Sequence, residues 1–301
     1  MRIAVSGSRG FLGSALVNVL RNDGHEIHPI VRHAPRQGEI GIDLVKHSLD
    51  CSQIERQSIG AVDIVYNLAG ESLTPGRWNS KKREEIRSSR ISSTDVIARA
   101  IAMTPETPNV LVNMSASGYY GSRGDEILTE QSAAGEGFLA ELCRAWESAT
   151  APARAVGVRV VHARTGIVIG KDGGILKTVT PLFRLGLGGR LGGGSQWMSP
   201  ISLADEIRAL IFVAMNEEMH GPCNFTSPIP ITNSEFTQAL GSALHRPTLL
   251  RVPEIGLRLA LGNRVTNEMV LASQRIIPSR LQSAGFEFRQ PHIYEAIGAS
   301  L

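Results

Sequence analysis

Two groups of residues in this 301-residue chain have types and spacing suited to chemistry. The first is Gly7-Ser8-Arg9-Gly10-Phe11-Leu12-Gly13, set between the apolar run Ile3, Ala4, Val5 and a helical pattern through Leu16, Val17 and Leu20. Strand, tight turn and helix in that order make a seat for a pyrophosphate. Gly7 permits the turn, Gly10 lets backbone approach phosphate, and Gly13 lets the helix pack on the strand. The free N–H groups and partial positive charge of a helix N-terminus complete the anion site. A glycine loop can also be a plain turn, but its place between strand and helix is the one a dinucleotide requires. The second group is Ser115, Ser117, Tyr119 and Tyr120, within Ser115-Ala116-Ser117-Gly118-Tyr119-Tyr120-Gly121. A strand ending at Ser115 delivers these hydroxyls to the sheet edge, and a phenol among them could exchange a proton with a substrate during hydride transfer. The alternative is that both rings fill an interface between the sheet and a second domain.

The elements that must position these groups follow from hydrophobic periodicity. A second strand over residues 25–31 decides the cofactor. A preference for NAD calls for Asp or Glu about 20 residues past the glycines, on the ribose 2′-hydroxyl. No acid lies between Ile30 and Gly38, where Arg32, His33 and Arg36 stand instead. With Arg9, these guanidinium groups favour a 2′-phosphate and therefore NADP(H); the plainer reading makes Arg32 and Arg36 surface residues. A third strand is expected over 40–44 and a buried fourth over 61–68. The latter ends in Leu68-Ala69-Gly70, where small residues let the adenosine half of a cofactor pass. A long helix over 80–103, a fifth strand over 110–115, a helix over 137–151 and a sixth strand over 157–164 follow. The apolar stripe Phe138, Leu142, Cys143, Trp146 reads as core. Alternation of strand and helix predicts an α/β protein with a Rossmann-type doubly wound parallel sheet, its ligands at the carboxyl ends of the strands.

After Arg164 the texture changes to glycine-rich stretches around a short helix containing Pro181, and from Ser227 to proline-punctuated short helices. A helix over 203–216 and a strand over 223–225 return to the sheet. The expected division is a Rossmann domain of residues 1–165 plus 203–226, and a smaller, mostly helical domain of 166–202 plus 227–301 that covers the cofactor cleft and takes the substrate.

Composition narrows the class. A net charge of +3 spread over 31 basic and 28 acidic residues, with no sustained basic block, argues against nucleic acid or a membrane surface as partner. Cys51, Cys143 and Cys223 are dispersed and share no metal-ligand spacing, which fits free thiols in a reducing compartment. No apolar run reaches the ~18 residues of a membrane span, and the first residues enter a strand directly. A cytoplasmic monomer or homodimer acting on a small molecule is expected, with no metal.

Several further segments occur in a telling order: Asn67-Leu68-Ala69-Gly70-Glu71, Arg77-Trp78-Asn79, Glu85-Ile86-Arg87-Ser88-Ser89-Arg90, Gly118-Tyr119-Tyr120-Gly121, Arg164-Thr165-Gly166, Gln196-Trp197, Thr232-Asn233-Ser234-Glu235-Phe236 and Gln274-Arg275-Ile276-Ile277-Pro278. With the Gly-x-x-Gly-x-x-Gly loop, they make the whole chain resemble atypical, extended short-chain dehydrogenase/reductases of the epimerase family, the nucleoside-diphosphate-sugar epimerases of the "cell division inhibitor" group. The resemblance implies NADP(H) binding, with Arg32, Leu68, Ala69, Glu85 and Arg90 helping to hold the cofactor. One departure is Pro200-Ile201-Ser202, where relatives tend to carry Trp-Ile-His.

In that superfamily a tyrosine moves the substrate proton and a lysine four residues later tunes it. Positions four beyond Tyr66, Tyr119, Tyr120 and Tyr294 are Gly70, Arg123, Gly124 and Gly298, so Tyr-x-x-x-Lys is absent. Two functions stay open. One is an NADP-dependent oxidoreductase or epimerase, acting on a nucleotide sugar or small carbonyl compound through Ser115, Ser117, Tyr119 or Tyr120. The other is a catalytically silent NADP(H)-binding regulator or redox sensor.

Overall fold

A computed structural model describes residues 1–31, 36–41, 62–73 and 77–301. The chain begins with β1 (Arg2–Ser6), α1 (Phe11–Asn22), β2 (Glu26–Val31), β3 (Ile40–Gly41) and β4 (Ile64–Asn67). It continues through α2 (Ser80–Ala102), β5 (Val110–Ala116), β6 (Ile127–Leu128), α3 (Phe138–Ser148), α4 (Ala151–Ala155) and β7 (Arg159–Thr165). Seven strands pair in parallel in the order β3-β2-β1-β4-β5-β7-β12, where β12 is Gly221–Phe225. This is the doubly wound sheet, with its order reversing between β1 and β4, where such sheets bind ligands.

Both faces are covered, as parallel strands require. Val5, Tyr66, Val112 and Ala163 pack with Leu16 and Leu20 of α1 and with Leu210 and Val213 on one side. Ala4, Val65, Leu111 and Val160 pack with Ile97 and Ile101 of α2 on the other. The stretch expected as one helix over 137–151 is divided. α3 closes at Ala149, and Pro152 in the first turn of α4 occupies a position where a missing N–H costs nothing.

The remaining elements are β8 (Ile167–Gly170), α5 (Gly174–Arg184), β9 (Gly189–Leu191), β10 (Trp197–Met198), β11 (Pro200–Ser202) and α6 (Leu203–Met215). After β12 come β13 (Ile231–Thr232), α7 (Asn233–Ala243), β14 (Leu250–Val252), α8 (Glu254–Leu261), α9 (Asn263–Val265), β15 (Arg275–Ile276), α10 (Ser279–Ser283) and α11 (Ile293–Gly298). Among the described residues there are four two-stranded ladders: β10–β13, β8–β11 and β9–β14 lie in the part read from sequence as mostly helical, and β6–β15 ties that part to the expected Rossmann domain. Ladders of two or three residues carry too little alternation to be legible. β6–β15 joins the segment after β5 to the chain's final third.

α6 buries a charge-bearing residue. Glu206 accepts a hydrogen bond from Thr165 Oγ1 at 2.8 Å, while its other carboxylate oxygen is buried without a partner among the described residues. Burial pushes this carboxyl from 4.5 up to about 8. The folded state therefore holds a proton that the unfolded chain releases. This contribution to stability is complete below pH 4.5 and is lost as pH rises towards 8, at about 1.4 kcal/mol per pH unit. His162, whose burial lowers it from 6.5 to about 4, acts in the opposite sense, its destabilising effect entering as pH falls from 6.5 towards 4. Glu206→Gln is expected to flatten the decline above pH 6.5. Urea titrations at pH 6.5 and pH 8 check this, and equal slopes in wild type and variant would refute the burial argument.

Candidate functional site

The glycine loop is built as its spacing demands. Gly7 sits at φ +67°, and a Cβ there would lie 2.8 Å from the Leu68 carbonyl oxygen. A Cβ on Gly13 would lie 2.1 Å from the Gly7 carbonyl oxygen, so only glycine lets α1 close against the loop. Gly10 N–H donates to the Gly7 carbonyl at 2.9 Å, yet Gly10 itself is exposed, with extended backbone. Among the described residues no side chain caps α1, and its first turn holds no acid, so its N-terminal dipole faces the loop. Ser8 and Leu12 are half-buried. The ring of Phe11 fills space that a Cβ on Gly170 or Gly173 would enter, at 2.7 and 2.3 Å. The β8–α5 connection thus clasps the loop from the far side.

The outer end of the cleft is mixed. Arg9 is three-quarters exposed and lies 3.6 Å from Glu39, whose other oxygen accepts from Arg36 N–H at 3.0 Å. Glu39 is the first acid past β2, one residue beyond the acid-free window. Arg32 and His33 lie outside the described residues, as does Cys51.

Beneath the cleft, Ser6 Oγ accepts the N–H groups of Leu68 and Ala69 at 3.1 and 3.2 Å and donates to Asn67 Oδ1 at 2.6 Å. Asn67 donates to Thr94 and Asn113, and Trp146 Nε1 also donates to Thr94. Register explains this network, because Ser6, Asn67 and Asn113 stand opposite one another across β1, β4 and β5. Arg90 of α2 is buried under Gly70: a Cβ on Gly70 would meet its Cζ at 3.2 Å. The guanidinium lies 5.2 Å from the Trp146 ring centre, and among the described residues no carboxylate is within ion-pair distance of it. Burial holds it below the ordinary arginine range. Glu85 is elsewhere. It is exposed and 3.8 Å from Lys82 Nζ, which also pairs with Glu71 at 2.9 Å.

Two strands along, the second group is gathered by Glu147 and Arg164, two residues to which the sequence reading gave no role. Ser115, Arg164 and Asn224 are opposite one another across β5, β7 and β12. Glu147 of α3 reaches over them, taking Arg164 Nε and Nη2 at 2.8 and 2.9 Å and Ser115 Oγ at 2.7 Å. Tyr120 is fully buried in a single 3₁₀ turn, Ser117–Tyr120. Its hydroxyl donates to Asn224 Oδ1 at 2.6 Å and accepts from Arg164 Nη1 at 3.1 Å. Burial pushes that phenol up to about 12. Tyr119 is half-buried, with the Arg164 guanidinium 3.4 Å from its ring centre, and among the described residues its hydroxyl makes no hydrogen bond. Ser117 is also half-buried, and Gln274 Nε2 donates to its carbonyl and to that of Gly121, both at 3.0 Å. Ser115, Tyr119 and Tyr120 therefore meet through Glu147 and Arg164, while of the four hydroxyls those of Tyr119 and Ser117 have no hydrogen bond among the described residues.

The signal for the missed pair was a charge at the end of a buried strand, Arg164 after Val160, Val161 and Ala163. A buried guanidinium demands a carboxylate, but the sequence offers no distance rule selecting Glu147. α3 also carries Cys143 and begins at a left-handed Gly137. Glu268, far along the chain, accepts from Leu139 N–H at 2.9 Å and so caps α3 from the C-terminal part. Cys143 and Cys223 are free and buried, and among the described residues no group of His, Cys, Asp and Glu is arranged to hold a metal. No helix among them is long and apolar enough to cross a membrane.

Comparison with known proteins agrees with this architecture. Residues 3–222 match the model of the NAD dependent epimerase/dehydratase family, and residues 252–299 match a domain of unknown function. An epimerase family protein of Mycobacterium bovis is 44% identical over 296 residues, covering 98% of this chain and 96% of the relative. The crystal structure of human epimerase family protein SDR39U1 with NADPH superposes with a TM-score of 0.87 at 31% identity, covering 99% of this chain and 98% of that one. A nucleoside-diphosphate sugar epimerase from Corynebacterium glutamicum matches all of this chain at 32% identity and a TM-score of 0.79, this chain spanning 59% of its length. With its parallel sheet, its glycine loop and a match over residues 3–222, the chain belongs to the NAD dependent epimerase/dehydratase family.

Proposed function

We propose that this protein binds NADP(H) and acts as an oxidoreductase or epimerase on a small carbonyl compound or nucleotide sugar, with Tyr119 in place of the absent Tyr-x-x-x-Lys. The observation that carries the cofactor reading is the cradle at the β1–β4 switch point. Gly7 and Gly13 leave no room for side chains, and among the described residues the α1 N-terminus is uncapped and the buried cation Arg90 has no carboxylate within ion-pair distance. Such a cation is costly until an anion arrives. The NADPH in the human relative and the epimerase name of the Corynebacterium neighbour support the same reading. Gly7–Gly13 would hold the pyrophosphate, Leu68, Ala69 and Gly70 would pass the adenosine half, and Arg32 would meet the 2′-phosphate.

The bound nicotinamide supplies hydride transfer. The chain's own part is to hold and move a proton. Tyr119 offers the free phenol at the β5 edge, and the Arg164–Glu147 pair fixes its ring. Ser117 is the nearby hydroxyl left to orient a substrate. Residues 166–202 and 227–301 cover this edge as the substrate-holding part. NADPH should bind tighter than NADH, and Arg32→Ala should narrow the gap by about 1–3 kcal/mol. Calorimetric titration with both cofactors checks this, and equal affinities would remove the argument. With a turnover found among carbonyl compounds and nucleotide sugars, Tyr119→Phe should lower it at least about 10²-fold at unchanged NADPH affinity.

A second reading rests on the commitments of Ser115 and Tyr120, whose hydroxyls already bond within the protein. It makes the chain an NADP(H)-binding regulator without turnover. Tight NADPH binding together with no product from any substrate, including by product analysis for internally recycled hydride, decides for it.

A further inference from the structure

A cavity of about 470 Å³, none of whose lining residues belongs to the glycine loop, lies between the segment leading into α2 and the α8–α9 corner. Arg77, Arg258 and Arg264 surround it, and Trp78, Leu261 and Val265 supply apolar wall. Trp78 and Val265 belong to a buried cluster with Ile86 and Leu142, and the Trp78 ring meets Phe138 edge-on at 5.8 Å. The volume falls within the range of small-ligand pockets, which pair apolar walls with a few placed polar groups.

The charges choose the ligand. Arg258 and Arg264 pair with Glu254 and Glu268, each at 3.6 Å and each arginine about half exposed, so both contacts are weak. Glu268 is held at the α3 N-terminus as well. Arg77 has no acidic partner among the described residues and donates Nη2 to the Leu259 carbonyl at 2.8 Å. Three guanidinium groups against two carboxylates leave one net positive charge, which suits a monoanion better than a phosphate dianion. The Trp78 indole N–H is buried and has no hydrogen-bond partner among the described residues. Ile255 and Leu259 of α8 are strongly exposed nearby and extend the apolar character beyond the cavity.

We propose that this cavity is a binding site for a small organic monocarboxylate, its carboxylate held by Arg77 and Arg258 and its apolar body laid against Trp78, Leu261 and Val265. Arginine forks match carboxylates bidentately, and the apolar wall adds area that an inorganic anion cannot use. The site is independent of the cofactor reading, since none of its residues belongs to the glycine cleft.

The test is titration of the full-length protein, without NADPH, by octanoate, octanamide and inorganic phosphate. Calorimetry and tryptophan fluorescence are followed together. Octanoate is expected to saturate with one site, to bind at least about tenfold tighter than either control, and to lose its fluorescence signal in Trp78→Phe. Arg77→Gln/Arg258→Gln should weaken it about 10–100-fold, and Arg77→Lys/Arg258→Lys should recover part of that loss. Circular dichroism confirms that each variant is folded. The proposal is overturned if octanoate fails to saturate by about 10 mM, if octanamide or phosphate binds as well, or if the folded glutamine variant binds like wild type.

Discussion

Glu147→Ala is expected to destabilise the protein by about 3–5 kcal/mol, the cost of leaving a buried guanidinium without its counter-charge. Arg164 has a side chain only 4% exposed, and both of its bonds to Glu147 are short and charge-assisted. The same carboxylate takes the Ser115 hydroxyl, so its loss also leaves a buried donor unmet. Arg164 has nowhere else to turn, being packed against Tyr119 and bonded to Tyr120. The Glu147→Leu/Arg164→Leu double variant removes both charges and should cost less than Glu147→Ala alone. Urea denaturation of the three proteins measures this. A loss below about 1 kcal/mol in Glu147→Ala would mean that the pair behaves as a solvated surface contact.

Gly10→Val is expected to weaken NADPH binding at least about 100-fold, the loss of two charge-assisted hydrogen bonds at about 1.5–3 kcal/mol each. Gly10 is exposed on the loop, and an added Cβ meets only the Gly7 carbonyl oxygen at 3.2 Å, a contact a small shift relieves. The branched side chain would then stand where phosphate must approach backbone. Unfolding should therefore change little. Gly13→Val differs, because its Cβ would overlap the Gly7 carbonyl and approach Ser8 Cα at 2.9 Å. It should lose both affinity and several kcal/mol of stability, as overpacking against rigid backbone does. Titration and thermal unfolding of both variants separate the roles. Wild-type affinity in a folded Gly10→Val would reduce the loop to a turn.

The sequence by itself determined the sheet and the place of its crevice. Short-range signals suffice for this: uninterrupted apolar runs at Ile3–Val5 and around Tyr66, glycines at fixed offsets, and the helical period carried by Ile86, Ile97 and Ile101, all now buried. The glycine geometry was legible because each requirement is met by neighbours within a few residues or by the adjacent strand. Tertiary structure alone decided which polar groups meet. Glu147 and Arg164 are 17 positions apart, Tyr120 and Asn224 are 104, and Leu139 and Glu268 are 129. Register across parallel strands brings such residues together, and nothing local encodes a partner at that range. Tyr119 and Tyr120 show the limit clearly. They are adjacent in sequence and equal in chemistry, yet the tight turn buries one hydroxyl between Asn224 and Arg164 and leaves the other without a partner among the described residues.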